Sequence, residues 1–188
     1  MLIYKLGKLL LMFTLALSLA VQAEETSNQD NFFWQHYLSA ITGSSDADTA
    51  GESFSNDYSG IEYTYYYSQQ YGVKFGSVNS SSAFDFSTFL TYEADSFYLA
   101  FTAKTNGDKV YGFGSIGFAN TSESLEDPFA CIFCVTNPPV RKSSSGIYWD
   151  IGVGWQVSRK WDMALGYSQI PADIADLTNS YLMVTYRF

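Results

Sequence analysis

The sequence predicts an all-β fold, an eight-stranded antiparallel up-and-down transmembrane β-barrel. Segments of about ten residues alternate apolar with small or polar side chains, as strands between lipid and a lumen do. Short and long connections alternate between these segments. The chain also holds 15 Phe and 15 Tyr among 188 residues, while only 15% of its residues are charged. So many aromatic side chains with so few charges suit a surface that faces lipid.

The first 23 residues have the order of a cleavable export signal. Lys5 and Lys8 precede the apolar run 9–21, and the small residue Ala23 closes the segment. Basic, apolar and small residues in this order are typical of a secretory signal peptide. The apolar run is shorter than the roughly 20 residues of a membrane-spanning helix. We therefore expect a signal peptide over 1–23 and a barrel over 24–188.

Period-two alternation places the strands. The two faces of 180–188 read Leu-Val-Tyr-Phe and Tyr-Met-Thr-Arg, and the length matches one tilted crossing of a membrane. The full set of expected strands is 32–42, 59–69, 71–79, 95–104, 109–119, 146–157, 161–169 and 180–188. A soluble β-sandwich also alternates, but it would not carry several aromatic residues on one strand face so often.

The segment 84–92, FDFSTFLTY, is open to two interpretations. It is either a hairpin extension above the membrane, which we favour, or a true crossing. In the second case 32–42 would lie outside the barrel, because the strand count must stay even.

The connections predict the orientation. Those at 69–70, 105–108 and 158–160 are short and should be periplasmic turns, whereas 43–57, 79–94, 120–145 and 171–179 should be long extracellular loops. The long connections carry most of the acidic residues: Asp46, Asp48, Glu52, Asp57, Asp85, Glu93, Glu123, Glu126, Asp127, Asp173 and Asp176. Such a rim would attract divalent cations and repel anionic partners, although loop solvation alone also explains the charges.

The net charge excludes one class of function. Without Lys5 and Lys8, eight basic residues remain against 19 acidic ones, a net charge of −11. Nucleic-acid binding requires a basic surface, so we expect no nucleic-acid partner.

Two motifs suggest chemistry without supplying it. Cys131 and Cys134 form a C-x-x-C in the longest connection, and in an exported chain they should form a local disulfide. A redox site would need a helix N-terminus, and zinc would need two further ligands. The single histidine, His36, lies near Ser39, which is too little for the His, Ser and carboxylate of a lipid A-modifying enzyme. We expect no catalytic residue, no metal and no cofactor.

Four charged residues should point into the lumen: Glu62, Lys74, Asp150 and Arg187. An eight-stranded barrel is only wide enough for its own side chains, and buried ions must be paired. We expect a lumen charge network that plugs the barrel, with a narrow gated channel as the alternative.

The chain resembles the OmpA-like family of small outer-membrane barrels. The resemblance rests on YWDIGVGWQVSRKWDMALGYSQI, the terminal SYLMVTYRF and DSFYLAFTAKTNGDKVYGFGSIGFANT. It covers the barrel domain only, and small colonisation-factor barrels are similar as well. The resemblance implies that Tyr186 and Phe188 belong to a terminal signal read by the barrel-assembly machinery.

These observations favour a monomeric, non-enzymatic barrel in the outer membrane of a Gram-negative bacterium. It would contact membrane lipid and lipopolysaccharide, and it would present acidic loops for adhesion to host or cell-surface ligands and for envelope integrity. The alternatives are a lipid A-modifying enzyme and a narrow channel for small solutes.

Overall fold

The computed structural model describes residues 36–48, 53–82, 91–107, 109–126 and 140–188. They form eight strands: β1 (His36–Asp48), β2 (Ser53–Tyr66), β3 (Tyr71–Ser82), β4 (Thr91–Lys104), β5 (Val110–Glu126), β6 (Val140–Gln156), β7 (Trp161–Ile170) and β8 (Asp176–Arg187). Each strand pairs antiparallel with the next, and β8 pairs with β1 to close the barrel. The predicted eight-stranded up-and-down barrel is confirmed.

The apolar faces of the strands lie outside and the mixed faces lie inside. Ile61, Phe97 and Phe118 are 63%, 66% and 74% exposed on the outer face. Tyr98 and Tyr148 are 4% and 2% exposed in the lumen. Within the described residues, no helix is long and apolar enough to cross a membrane.

One end of the barrel holds the short turns and is called the turn end; the opposite end is called the loop end. The turns 67–70 and 157–160 close tightly, since Tyr67 N and Val157 N donate to Tyr71 O (3.1 Å) and Trp161 O (3.0 Å). The first and last described residues meet at this end too, where Phe188 N donates to His36 O (3.0 Å).

The predicted strand boundaries are wrong at the loop end. β5 continues to Glu126 and β6 begins at Val140, where 120–145 was expected to be a loop. Most of 43–57 lies in β1 and β2, and β3 continues through 80–82, beyond its expected end at 79. Beyond the apolar band the outer face is polar and the inner face mixes apolar with polar residues, so the lipid-facing alternation ends while backbone pairing continues. Alternation therefore marks the length of the membrane crossing and not the length of the strand.

Several expectations lie outside the described residues, namely the signal peptide 1–23, the pair Cys131 and Cys134, and 83–90. β1 is a strand of the barrel from His36 onward, so the interpretation that placed 32–42 outside the barrel is wrong. Of the segment 84–92, only Thr91 and Tyr92 are among the described residues, and they begin β4.

Glycines let the lumen fill with tyrosine rings. A Cβ on Gly76 would lie 2.4 Å from the ring of Tyr98, and one on Gly166 would lie 2.3 Å from the ring of Tyr181. Both distances are well below ordinary carbon contact. The two phenols therefore reach across the lumen only because the facing residue has no side chain.

Candidate functional site

The middle of the lumen holds three buried ions, called here the Lys74 cluster: Lys74 on β3, Glu62 on β2 and Asp150 on β6. Lys74 Nζ lies 2.9 Å from Glu62 Oε2 and also bonds to Asp150 Oδ2. None of the three residues is more than 5% exposed. Ions removed from water in this way are tolerated only when they are paired and hydrogen-bonded.

Tyrosines supply the remaining donors of the Lys74 cluster. Tyr98 OH donates to Glu62 Oε2 (2.8 Å), and Tyr148 OH donates to Asp150 Oδ2 (2.6 Å). The two rings stack with centroids 4.3 Å apart, and Lys74 Nζ lies 5.6 Å and 5.4 Å from them. Because two carboxylates share one ammonium, the cluster keeps one net negative charge. The hydrogen bonds donated by the two phenols stabilise it.

Arg187 does not join this cluster, contrary to the prediction of a single network. Its guanidinium pairs with Asp162, whose Oδ2 accepts from Arg187 Nε at 2.9 Å and from Tyr111 OH at 3.2 Å. Trp161 pairs with Tyr186 at the turn end, which places Asp162 beside the end of β8. The pair therefore closes the turn end separately.

Lys104 is a lumen residue that the sequence reasoning missed. Its Nζ donates to Tyr37 OH (3.0 Å) and lies 4.3 Å from the centroid of the Tyr66 ring. The only signal in the sequence was its even spacing from Tyr98, which places both on the inner face of β4. A cavity of about 20 Å³ separates this region from the Lys74 cluster. That space accommodates on the order of one water molecule and forms no continuous pore.

Glu123 closes the loop end, and the arrangement around it is called here the outer cap. Its carboxylate accepts hydrogen bonds from Tyr92 OH (2.7 Å), Asp173 N (2.6 Å) and Ile174 N (3.2 Å). Glu123 is 1% exposed. It was expected in an acidic extracellular loop, and that expectation is wrong because β5 continues past it and turns it inward.

The outer cap draws the β7–β8 connection, 171–175, into the barrel mouth. Ser144 Oγ donates to Pro171 O (3.1 Å), which fixes the start of the connection. Small and apolar side chains fill the adjoining lumen: Ala47, Tyr92, Ala94, Ala175 and Leu177 are each at most 3% exposed. Burial raises the pKa of the Tyr92 phenol, and the hydrogen bond to the Glu123 carboxylate raises it further, so Tyr92 remains a donor.

His36 and Ser39 do not form a catalytic pair. His36 bonds to Tyr63 OH and stacks on Phe188, with centroids 5.7 Å apart. Ser39 points into the lumen and bonds to Thr185 Oγ1 (2.8 Å). In the described part of the chain, no group of three or more His, Cys, Asp or Glu side chains could hold a metal ion.

The outward-facing charges at the loop end are mostly negative. Among the residues whose burial the structure describes, seven exposed carboxylates lie there: Asp46, Asp48, Asp57, Glu93, Asp95, Asp173 and Asp176. Most lie on strand extensions and not in loops, which corrects the predicted acidic loops. Asp48 on β1 pairs directly with Asp176 on β8. Two exposed cations, Arg141 and Lys142, lie together at the start of β6.

No family model matches the sequence, and no curated protein is a significant match. Solved structures do match. Neisserial surface protein A has a TM-score of 0.66 and 13% identity over 81% of this chain and 97% of its own. Ail, the attachment invasion locus protein of Yersinia pestis, has a TM-score of 0.61 and 12% identity over 83% of this chain and 100% of its own. The outer membrane protein OprG of Pseudomonas aeruginosa has a TM-score of 0.55 and 12% identity over 82% of this chain and 97% of its own. At these identities the similarity establishes the fold, which is that of small outer-membrane β-barrels.

Proposed function

We propose that this chain is a non-enzymatic outer-membrane barrel whose filled interior makes it a rigid scaffold for binding at the cell surface. The observation that carries the proposal is the contrast between the filled lumen and the exposed strand extensions at the loop end. The lumen is blocked by charged and aromatic side chains at three levels, whereas the strands extend beyond the apolar band with exposed, charged faces. Function on such a scaffold resides in the segments that leave the membrane.

Location and orientation are tested by labelling on intact cells. In a Cys131→Ser/Cys134→Ser background, Glu93→Cys at the loop end should react with a membrane-impermeant maleimide. Asn106→Cys in a short turn should react only after the outer membrane is permeabilised. Labelling of both positions, or of Asn106→Cys alone, would contradict the proposed orientation.

The negative charge at the loop end favours a cationic ligand. It also favours an anionic glycan such as lipopolysaccharide if divalent cations bridge the two negative surfaces. Negative carboxylates attract such cations and repel free polyanions. Ail has been solved in complex with the heparin analogue sucrose octasulfate. In this chain Arg141 and Lys142 are the exposed pair available to a sulfated glycan at the loop end of the described structure.

Glycan-array binding of the purified barrel separates these cases. We expect binding to cationic ligands, or to lipopolysaccharide in the presence of calcium, that falls in Asp48→Asn/Asp176→Asn. The variant Arg141→Gln/Lys142→Gln serves as the matched control and should leave this binding unchanged. The proposal would be contradicted if the barrel bound heparin and this binding were lost in Arg141→Gln/Lys142→Gln but retained in Asp48→Asn/Asp176→Asn.

The alternative functions find less support. A lipid A-modifying enzyme needs a His, a Ser and an acid together, but His36 and Ser39 lie on opposite faces of β1. A narrow channel needs an open path, whereas the lumen holds paired ions. The barrel is therefore proposed to act through its surface and as a monomer that supports envelope integrity.

We also propose that Tyr186 and Phe188 act as a signal to the barrel-assembly machinery. Phe188 is 48% exposed and stacks on Tyr186 with centroids 6.1 Å apart, so it contributes little to the packed lumen. Deleting Phe188 should lower the amount of folded protein in the outer membrane, while refolding in detergent should persist. Equal assembly of the deletion variant in cells would contradict this role.

The disulfide remains a proposal. Cys131 and Cys134 should resist thiol labelling on whole cells until a reductant is added. Labelling of both thiols without a reductant would contradict it.

A further inference from the structure

A groove of about 820 Å³ crosses the outside of the barrel near the turn end. Gly112 and Gly114 on β5 form its floor together with Ala103, which pairs with Gly114 on β4. On the β6 side, Val153 and Ile151 pair with the two glycines and form one wall. The groove is therefore a gap in the apolar outer face and not an entrance to the lumen.

The floor glycines are not required by the packing of the barrel. A Cβ on Gly112 would come no closer than 3.7 Å to another atom, and one on Gly114 no closer than 3.5 Å. Both distances are ordinary contacts, in contrast to the lumen glycine Gly76, where a Cβ would overlap a tyrosine ring at 2.4 Å. The empty floor is thus a property of the outer surface itself.

The β4–β5 and β6–β7 turns, called here the rim, lie at the turn end next to the groove and hold the exposed cations Lys109 and Arg159. Lys109 lies in the turn that precedes β5, and its carbonyl accepts from Gln156 N (2.7 Å) at the end of β6. Arg159 lies exposed in the neighbouring β6–β7 turn, and the polar residues Gln70 and Thr105 line the groove's lower end. The sequence adds one acidic residue to these two turns, Asp108, which precedes Lys109, and Asp162 at the start of β7 is buried and paired with Arg187.

We propose that this groove binds an anionic glycerophospholipid of the periplasmic leaflet. An acyl chain lies over Gly112 and Gly114, and the phosphate lies against Lys109 and Arg159. An apolar surface next to basic residues at the membrane boundary is the arrangement that recognises such lipids. The inference rests on the proposed function, because it requires the barrel to span a membrane with its turns on the periplasmic side.

A second copy of the chain fits the groove less well. Two barrels docked side by side through β5 in one membrane would bring their cationic turn ends together. Like charges placed opposite each other oppose association. A lipid phosphate instead neutralises the rim.

Native mass spectrometry of the full-length barrel, released from nanodiscs with equal phosphatidylglycerol and phosphatidylcholine, tests the proposal. Each basic residue at a membrane surface gives about a fivefold preference for anionic lipid, so the wild type should retain phosphatidylglycerol at least about fivefold over phosphatidylcholine. Gly112→Leu/Gly114→Leu should lose most of the bound lipid. Lys109→Gln/Arg159→Gln should retain lipid without the preference.

Matched controls separate the groove from general effects. Ala40→Leu adds the same side chain to the outer face of β1, on the far side of the barrel, and should keep both lipid and preference. Arg141→Gln removes a cation at the loop end and should also change nothing.

Equal retention of the two lipids by the wild type, or an unchanged preference in Lys109→Gln/Arg159→Gln, would overturn the proposal. Dimers that disappear in Gly112→Leu/Gly114→Leu would overturn it in favour of a second copy. Heat-modifiable migration reports insertion in the same samples. A wild-type barrel that does not insert would overturn the proposed function and this inference with it, whereas an inserted barrel without lipid preference would overturn this inference alone.

Discussion

The Lys74 cluster and the outer cap both bury carboxylates in the lumen, but they neutralise them differently. In the Lys74 cluster two carboxylates share an ammonium and phenol donors. In the outer cap Glu123 is held by one phenol and by backbone amides of the β7–β8 connection. No Lys or Arg of the described residues pairs with Glu123.

The difference follows from depth in the barrel. The Lys74 cluster lies at the level of the apolar outer face, where neither side of the wall offers water, so its carboxylates require a cation. The outer cap lies where the strands have left the apolar band, and hydrogen bonds suffice for one carboxylate near solvent. We infer that the Lys74 cluster stabilises the whole barrel, whereas the outer cap fixes one connection.

Removing the cation should have the largest effect. Lys74→Met leaves two buried carboxylates without a cation and should lower the free energy of unfolding by about 3–5 kcal/mol. Urea titration followed by heat-modifiable migration measures this change. Lys109→Met, an exposed lysine in a turn, is the control and should change it little. Adding Glu62→Gln and Asp150→Asn to Lys74→Met should recover much of the loss, and a failure to recover would show that packing and not charge is responsible.

Removing the cap carboxylate should act locally. Glu123→Ala deletes the acceptor of Tyr92 OH, Asp173 N and Ile174 N, and bonds to a charged acceptor contribute about 1.5–3 kcal/mol each. Amide hydrogen exchange should speed up in 171–175 while the mid-barrel strands keep their protection. Glu93→Ala, an exposed residue on β4, is the matched control. Loss of protection throughout the barrel would contradict a local role for the cap.

A paired removal of one hydroxyl sharpens the comparison. Tyr148→Phe and Tyr92→Phe each delete one phenol–carboxylate hydrogen bond, worth on the order of 1 kcal/mol or more. We expect the larger loss of unfolding free energy for Tyr148→Phe, because water can replace the lost donor more easily at the loop end. Equal losses in the same urea titration would refute the depth argument.

The sequence predicted the features that contact with lipid imposes on the strands. It missed the strand extensions beyond the membrane and the contacts set by the register between strands. The alternation around Leu182 and Val184 fixed the membrane crossing and its inward face, since lipid imposes a strict period of two. Glu123 was misplaced because the stretch 120–124 is polar on both faces and shows no alternation in hydropathy. The partner of Arg187 could not be predicted, because Asp162 reaches it only through the register of β7 with β8. Pairing between strands is absent from the local pattern on which sequence reasoning depends.

Conductance of the purified barrel in planar lipid bilayers tests the filled lumen most directly. The wild type should insert without discrete current steps, because the Lys74 cluster and the Arg187–Asp162 pair block the path below the cap. Glu123→Ala should remain silent as well, since it opens only the loop end. Reproducible ohmic steps from the inserted wild type would contradict the account, and the barrel would then be a channel.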